Sequence, residues 1–328
     1  MYQRLDGKKV LLLCAKFFNY DQLVANQLRN LGARVDLYDA RAEITTLEKA
    51  VLKVYKGFFL KKLKKYHKKI CDKTNGKDYD IIYTNSYLPK ETIISYRSVN
   101  RKSRIILYMD DSVANTRGIE NTFKYYDRVI TFDRMDAIEY NLEFVPLFYE
   151  DSYRPTDDKL IKWDICFVGT IHSDRLKVIQ AIEKECQEKS LSFVHFCYLQ
   201  SPIMYYIYYL LKPEFRTKRR DYFIYSQLSS QDIANLYSQS KSVLDIHHPK
   251  QSGLTMRTIE TLGAGKKIIT TNNDIIYYDI CNDSNVYVIN RNNPNIDPSF
   301  INGDYKHLDK SIIYNYSIEG WTYKVFKV

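Results

Sequence analysis

The segment Ser242-Val-Leu-Asp-Ile-His-His-Pro-Lys-Gln-Ser-Gly-Leu-Thr-Met-Arg-Thr-Ile-Glu-Thr-Leu-Gly-Ala-Gly265 runs directly into Lys266-Lys-Ile-Ile-Thr-Thr-Asn272. An apolar run is followed by a loop that contains Gly253, a stretch with helical spacing, a glycine-rich turn and a second apolar run. This order predicts a strand over 242–246, a helix over 254–262 and a strand over 267–271. A strand, a helix and another strand in succession are typical of a parallel βαβ unit.

The same alternation extends over most of the chain. Short apolar runs predict strands at 9–15, 34–38, 80–84, 104–109, 128–132 and 144–148, and again at 163–168, 192–198, 222–225, 242–246, 267–271 and 286–289. The polar segment 149–158, which contains Pro155, separates the two series. We therefore expect an α/β protein with two Rossmann-like doubly wound parallel-sheet domains, over 1–150 and 151–310, and a terminal helix within 311–328.

Composition excludes several classes of protein. The 328 residues are 45% hydrophobic and 27% charged, with 11 Gly and 8 Pro, which argues against collagen-like, coiled-coil and mostly disordered chains. No apolar run reaches the length of a membrane span, and the start lacks a secretory signal pattern. The six cysteines show neither CxxC nor metal-ligand spacing, so we expect a cytoplasmic protein without a structural metal. No GxGxxG follows the first predicted strand, which disfavours a nicotinamide cofactor.

Parallel sheets bind ligands at the carboxyl ends of their strands, and two such ends stand out. After the strand at 163–168, Gly169 begins a turn that leads through His172 to Arg175 at the start of a helix. The amide groups of such a helix start, together with His172 and Arg175, suit an anion. The alternative is a plain turn with a Ser173 cap and a solvated arginine.

The second strand end carries Arg257 and Glu260, three residues apart on the helix at 254–262. A cation near a helix N-terminus opposes the helix dipole unless an anion lies beside it, and a buried glutamate can accept hydrogen bonds from hydroxyls. Phosphate and ribose would suit this pair, whereas the alternative is an i,i+3 salt bridge on a solvated helix. His247, in the loop before the helix, is a further candidate contact to such a phosphate-bearing ligand.

This stretch resembles the donor-binding motif of GT-B glycosyltransferases of the group 1, family 4-like kind. Gly253, Glu260 and Gly265 match that motif, while Ser252 stands where the family has its first glutamate. The upstream segment 228–245 resembles another part of the same family, and Met256-Arg257-x-x-Glu260 is most similar to its capsule, lipopolysaccharide and spore-coat branch. The resemblance implies two domains that face a cleft, with the acceptor on the first domain and the nucleotide-sugar donor on the second. It also implies that the terminal helix packs back toward the first domain. The site residues it suggests on the donor side are Gly169, His172, Arg175, His247, Gly253, Arg257, Thr258 and Glu260.

The resemblance also implies a chemistry. Such enzymes stabilise the leaving nucleoside diphosphate with cations and amides, so we expect a nucleotide sugar as substrate, no cofactor and no metal. An inverting reaction also needs a base near the acceptor. Asp111, just after the predicted strand at 104–109, is a candidate base, and capping of a helix near Ser112 is the alternative role for it.

Basic residues are concentrated in one segment. The formal net charge is +10, and residues 53–73 contain nine lysines against one acid, Asp72. A helix predicted over 47–71 has an apolar side and a lysine-rich remainder, which suits either an anionic membrane surface or a core-packed helix with a solvated face. The lysines that would contact a membrane or an acceptor are Lys61, Lys62, Lys64, Lys65, Lys68 and Lys69.

A second apolar segment, residues 202–211, precedes a basic one. It is either a buried helix followed by a solvent-exposed basic segment or a further membrane contact. Because the positive charge is local, we expect no nucleic-acid partner.

The sequence thus predicts a metal-independent glycosyltransferase at the inner face of the plasma membrane. It would act on a lipid-linked saccharide acceptor in bacterial surface polysaccharide synthesis. Two alternatives remain open: a nucleotide-sugar epimerase of the same fold, and a non-catalytic membrane-associated binding protein.

Overall fold

The structure is a computed structural model that describes residues 4–16, 19–41, 56–116, 118–155 and 160–327. Twelve strands are found in these residues, and all of them pair in parallel. In chain order they are β1 (Lys9–Cys14), β2 (Arg34–Asp39), β3 (Ile81–Thr84), β4 (Arg104–Met109), β5 (Arg128–Thr131), β6 (Glu143–Phe144), β7 (Trp163–Thr170), β8 (Phe193–Tyr198), β9 (Phe223–Ile224), β10 (Ser240–Asp245), β11 (Lys267–Thr270) and β12 (Val286–Val288).

Helices connect these strands. They are α1 (Tyr20–Asn30), α2 (Lys56–Thr74), α3 (Lys90–Val99), α4 (Arg134–Tyr140), α5 (Arg175–Glu188), α6 (Pro202–Leu211), α7 (Ser230–Ser238), α8 (Met256–Gly263), α9 (Pro298–Asn302), α10 (Lys310–Asn315) and α11 (Ile318–Phe326). Short 3₁₀ turns fill several of the remaining connections.

The chain divides into two compact units. Unit 1 runs to Pro146 and takes in α11, whereas unit 2 is Leu147–Ser317. The chain thus passes from unit 1 to unit 2 four residues before the boundary that we expected at 150. It returns to unit 1 seven residues after the boundary that we expected at 310. Within unit 1, Trp321 of α11 is buried with its ring 5.0 Å from that of Tyr108, centroid to centroid.

Each unit is built on one six-stranded sheet. The strand order is β2-β1-β3-β4-β5-β6 in unit 1 and β12-β11-β10-β7-β8-β9 in unit 2. Both sheets are covered by helices, and their central strands are almost wholly buried, as in β4 and β11. The prediction of two doubly wound parallel sheets is therefore confirmed. In unit 2 the order of strands reverses between β7 and β10, and this is where open α/β sheets place their ligands.

Several local predictions need correction. Gly169 does not begin a turn, because β7 continues past it and pairs Gly169 with Cys197 of β8. β9 has only two residues and β6 ends at Phe144. Ser173 does not cap α5, whose N-cap is Asp174 without a capping hydrogen bond from its side chain.

The lysine-rich helix α2 packs on the core of unit 1. Leu63, His67 and Ile70 are buried, and His67 bonds to the carbonyl oxygen of Ala40 at 2.9 Å. Leu63 and Ile70 on the apolar side of α2 are therefore covered by protein, which favours the core-packed helix with a solvated basic face. Contact of its lysines with an anionic membrane surface stays a prediction. The predicted start at residue 47, and Lys53 with it, lie outside the described residues.

Candidate functional site

The carboxyl end of β10 holds a buried carboxylate that organises its surroundings. Asp245 accepts hydrogen bonds from the hydroxyls of Thr255 at 2.8 Å, Thr258 at 3.0 Å and Thr270 at 3.2 Å, and from Nη1 of Arg257 at 2.8 Å. Burial opposes ionisation, but the Arg257 charge and these hydrogen bonds outweigh it and lower the pKa of Asp245. Thr258 is fully buried and its hydroxyl supports Asp245, while the donor contact that we expected of it stays a prediction.

Arg257, in the first turn of α8, is held in place by unit 2 itself. Its Nε donates to the carbonyl oxygen of Val168 at 2.7 Å, and its guanidinium lies 4.9 Å from the centroid of the Phe167 ring. We expected the partners of Arg257 to lie on a ligand or to be Glu260, but its ion pair is with Asp245. Its Nη2 has no hydrogen-bond partner within the residues described, so this nitrogen is left for a ligand.

Gly169 leaves room for that arginine. A Cβ atom at Gly169 would lie 2.3 Å from Nη2 of Arg257, which is too close for any side chain. Gly169 therefore allows Arg257 to approach the end of β7 closely. The anion-binding turn that we predicted at Gly169 is wrong, because β7 continues through this residue.

Arg175 is the second arginine of the site and is buried at the start of α5. Its Nε donates to the carbonyl oxygen of Ile246 at 2.8 Å, and its Nη1 to that of Thr170 at 2.9 Å. Within the described chain, Arg175 has no carboxylate partner. Burial, and then the charge of Arg257, lower the pKa of Arg175 to about 9. The carboxylate whose charge acts most strongly on Arg175 is that of Asp245, which is already paired with Arg257.

Arg291 is a third arginine, which the sequence reasoning missed. It follows β12 and pairs with Asp174 at 2.6 Å, while its Nη2 donates to the carbonyl oxygen of His247 at 2.5 Å and to Thr271 Oγ1 at 3.2 Å. The signal that could have found it is its position, since a polar residue just after a predicted strand lies at the carboxyl edge of the sheet.

Three histidines surround these arginines. The rings of His172 and His248 lie 5.6 Å apart, centroid to centroid, and His247 Nδ1 lies 2.8 Å from Thr271 Oγ1. Burial, followed by the charge of Arg175, lowers the pKa of His172 to about 4. Burial, followed by the charge of Arg291, lowers the pKa of His247 to about 4 as well. Both rings are therefore neutral at pH 7 and add hydrogen-bonding groups rather than charge.

Two further backbone features lie at this edge. Ser173, just before α5, adopts a left-handed φ of 49°, and φ is also positive at five other non-glycine residues of the described chain. The loop before α8 is anchored from the next strand, because Asn272 Nδ2 donates to the carbonyl oxygen of Ser252 at 2.9 Å, next to the buried Gly253.

Glu260 lies one turn after Arg257 and is buried. Burial raises the pKa of Tyr153, and the Glu260 carboxylate raises it further through its charge and a hydrogen bond to the Tyr153 hydroxyl. The hydroxyl of Tyr153 therefore lies close to the Glu260 carboxylate, which we expected to accept hydrogen bonds from ribose.

In unit 1, the carboxyl edge of the sheet carries acids instead. Asp111 accepts from the Ser112 amide at 2.9 Å and from Asn115 Nδ2 at 2.8 Å. It does not take the capping role that was the alternative to a base, because the N-cap of the 3₁₀ turn Val113–Asn115 is Ser112, without a capping hydrogen bond from a side chain. Asp110 accepts from Asn85 Nδ2 at 2.8 Å. Although Asp110 keeps contact with solvent, desolvation by the surrounding protein outweighs the Asn85 hydrogen bond and raises its pKa to about 7.

The lysines of α2 border a groove of about 980 Å³ in unit 1. Lys62, Lys65 and Lys69 line it together with Arg41 and Lys16, and Asp21, Asp36 and Asp39 contribute the opposite charge. Lys61 and Lys68 are exposed, and Lys64 pairs with Glu91 at 3.1 Å. Over the described residues, no cluster of three or more histidine, cysteine or acidic side chains could hold a metal, and no helix is long and apolar enough to cross a bilayer.

Comparison with known proteins places the fold. No protein-family model matches the chain, and a search of curated proteins gives no match by sequence. The lipopolysaccharide outer core galactosyltransferase WaaB, in its apo form, aligns with a TM-score of 0.57 and 12% identity over 97% of this chain and 98% of its own. A glycosyltransferase from Rickettsia africae aligns at 0.62 and 15% identity over 98% and 97%. HepE of Anabaena, solved with UDP-glucose, aligns at 0.57 and 12% identity over 97% and 95%. The chain has the GT-B fold, as its sequence predicted.

Proposed function

We propose that the protein is a glycosyltransferase that transfers a sugar from a nucleotide-sugar donor to a saccharide acceptor. The observation that carries this proposal is the buried Arg175, which has no carboxylate partner among the described residues and lies near the charge of Arg257. A diphosphate supplies the missing negative charge at the strand reversal between β7 and β10. The GT-B fold supports the same reading, and HepE, which shares it, was solved with UDP-glucose.

The arginines also suit the chemical step. Negative charge grows on the diphosphate as the bond to the sugar breaks, and cations held in place before the reaction stabilise that charge most in the transition state. Arg257 is fixed by Asp245 and Val168, so its free Nη2 needs no reorganisation to meet the diphosphate. We propose that no metal ion is needed for transfer and that Glu260 accepts hydrogen bonds from the ribose hydroxyls.

We place the acceptor on unit 1 and propose that it is lipid-linked, for bacterial surface polysaccharide synthesis at the inner face of the plasma membrane. The basic groove beside Lys62, Lys65 and Lys69 supports an acceptor that carries phosphate. If the reaction inverts, the base is Asp110 rather than Asp111, because its pKa near 7 suits proton transfer at neutral pH and Asp111 accepts from the Ser112 amide and the Asn115 side chain.

A panel of nucleoside diphosphates tests the donor site. We expect one of them to raise the melting temperature of the protein, because a ligand that binds only the folded state stabilises it by mass action. The corresponding nucleotide sugar should then be turned over on a saccharide acceptor, with a rate that a chelator leaves unchanged. If no nucleoside diphosphate binds, the proposal is wrong.

The same assay separates the two alternatives. An epimerase would convert the nucleotide sugar without an acceptor, and a non-catalytic binding protein would bind it without turnover. Loss of transfer with chelator and recovery with Mg²⁺ or Mn²⁺ would contradict metal independence.

A further inference from the structure

Helix α6 of unit 2 turns an apolar face to solvent. Ile203, Leu210 and Leu211 are 69%, 73% and 74% exposed, and Tyr206 and Ile207 lie between them, also exposed. Their spacing of i, i+3, i+4, i+7 and i+8 places all five on one side of the helix. A single exposed leucine is ordinary, whereas a contiguous apolar face marks a surface that something covers.

The opposite side of α6 holds the helix in this orientation. Tyr205 is buried with its ring 5.7 Å from that of Phe223, and the ring of Tyr208 lies 5.0 Å from that of Phe215, centroid to centroid. The Tyr205 hydroxyl donates to the carbonyl oxygen of Lys218 at 3.0 Å. The helix therefore cannot bury its exposed face by rolling over without pulling two tyrosines out of the core.

Cations surround the apolar face. Arg216 donates to the carbonyl oxygens of Tyr209 at 3.1 Å and Leu210 at 3.0 Å, at the carboxyl end of α6. Arg219, whose side chain is almost fully exposed, and Arg220 border a shallow depression with Tyr206. The acids nearby are few: Asp221 lies 3.5 Å from Arg219, and Glu214 is half-buried.

Apolar side chains, tyrosines and arginines in this order match the layers of a bilayer surface. Aliphatic side chains favour the boundary of the acyl chains, tyrosines favour the interface and arginines pair with lipid phosphates. We propose that the exposed face of α6 inserts into the interface of an anionic lipid bilayer, with Arg216, Arg219 and Arg220 at the headgroups. This deepens the membrane location proposed above by naming the element that inserts, and it does not depend on sugar transfer.

Helix α2 is the other basic element that could contact a membrane, and it differs from α6. Over residues 63–74 its apolar side packs on the core of unit 1 through Leu63 and Ile70, so this part of the helix offers a membrane mainly the charge of its lysines. Helix α6 exposes more large apolar side chains than any other helix among the residues that the structure describes, and arginines lie next to them in the chain. Binding through α6 should thus survive salt in part, whereas binding through lysines alone should be lost.

Vesicle sedimentation tests the proposal with the full chain. The probes are phosphatidylcholine vesicles with and without phosphatidylglycerol. We expect the parent to bind the anionic vesicles, and a triple variant with Ile203→Ser, Leu210→Ser and Leu211→Ser to bind about tenfold more weakly or worse. A control triple variant with Ile94→Ser, Ile138→Ser and Ile276→Ser removes three other isoleucines that are at least half exposed and should bind as the parent does. Arg219→Gln with Arg220→Gln should weaken binding mainly at low salt.

Two controls keep the outcome clear. Nucleoside diphosphate affinity and melting temperature should be unchanged in the α6 variant, because its substitutions lie on the surface. Vesicle binding with no donor binding would count against the proposed function and leave the α6 assignment standing. Absence of parent binding to anionic vesicles overturns the assignment, as does equal loss in both triple variants. A parent dimer that the α6 variant converts to a monomer would show that a second copy covers this face instead.

Discussion

The carboxyl edges of the two sheets differ in their charged side chains: arginines gather around the buried Asp245 in unit 2, whereas acids follow a central strand in unit 1. In unit 2, Arg175, Arg257 and Arg291 meet beyond β7, β10 and β12, whereas in unit 1 Asp110 and Asp111 follow β4. Desolvation and a neighbouring like charge act on both edges: the pKa of Arg175 falls to about 9 and that of Asp110 rises to about 7. The same sheet architecture thus places a ligand site at the carboxyl edge of each sheet, and the side chains decide its chemistry. The edge in unit 2 suits an anion, whereas the edge in unit 1 suits a group that donates a proton or a hydroxyl hydrogen bond.

The largest expected effect comes from removing the carboxylate that organises the basic edge. Asp245→Ala leaves Arg257 buried without its counter-charge and three threonine hydroxyls without their acceptor. Breaking a buried ion pair in this way costs about 3–5 kcal/mol. For a unit of this size we expect a fall of about 10 °C in melting temperature.

A surface carboxylate provides the control for Asp245. Asp151→Ala removes the exposed partner of Arg154 and should change the free energy of unfolding by less than about 0.5 kcal/mol. Equal melting temperatures for the two variants would contradict the buried network.

The next effect falls on the affinity for nucleoside diphosphate. Arg257→Lys keeps a cation beside Asp245 but loses the second guanidinium nitrogen above Gly169. A charge-assisted hydrogen bond contributes about 1.5–3 kcal/mol, so titration calorimetry should show affinity lower by about 10- to 150-fold. Arg257→Ala is the poorer test, because it also leaves Asp245 unpaired.

A conservative change elsewhere isolates this effect. Arg154→Lys alters an exposed arginine of unit 2 and should leave nucleotide affinity unchanged. If Arg257→Lys lowers only the melting temperature, then Arg257 is a structural partner of Asp245 and nothing more.

The fold could be predicted from sequence because its signals are local. Apolar runs of β4 and helical spacing in α8 are visible within a few residues, and twelve such signals in alternation imply parallel sheets. The orientation of α2 could not be predicted in this way, since an amphipathic pattern looks the same against a core as against a membrane. Only the packing of Leu63 and Ile70 in the structure separates these two environments.

The site was predictable only where its residues are close in sequence. Arg257 and Glu260 were found from a motif, but the partner of Arg257 lies twelve residues earlier, at the end of β10. Arg291 joins the same edge because β12 and β10 both flank β11, a relation that no local pattern expresses. Gly169 was found for the wrong reason, since its function is to admit a side chain from 88 residues further along.

A smaller effect tests whether Glu260 meets the ribose. Glu260→Gln keeps the size of the side chain and one acceptor oxygen, so nucleoside diphosphate affinity should fall by about fivefold, or ~1 kcal/mol. Inorganic pyrophosphate has no ribose, and its affinity should not change. Equal losses for both ligands would show that Glu260 acts on the phosphate region instead. Tyr153→Phe, which removes the hydroxyl beside Glu260, should alter stability without this ligand preference.

The smallest effect concerns the acidic edge and depends on pH. The pKa of Asp110 is about 7 in the folded protein and near 3.9 in an unfolded chain, so its ionised form is disfavoured by folding. The contribution of Asp110 to stability should therefore fall as the pH rises from about 4 to about 7, and this loss is complete above pH 7. The buried His172 and His247 act in the opposite direction over this range, so the effect is measured as the difference between the parent and an Asp110 variant. Asp110→Asn keeps an acceptor for Asn85 and has no charge to desolvate, so its melting temperature should exceed that of the parent above pH 7 and match it below pH 4. Because Asp110 keeps contact with solvent, we expect a gain of less than about 1 kcal/mol. Asp111→Asn removes the same formal charge next door, and an identical pH trend in that variant would show that general charge repulsion, rather than the surroundings of Asp110, produces the effect.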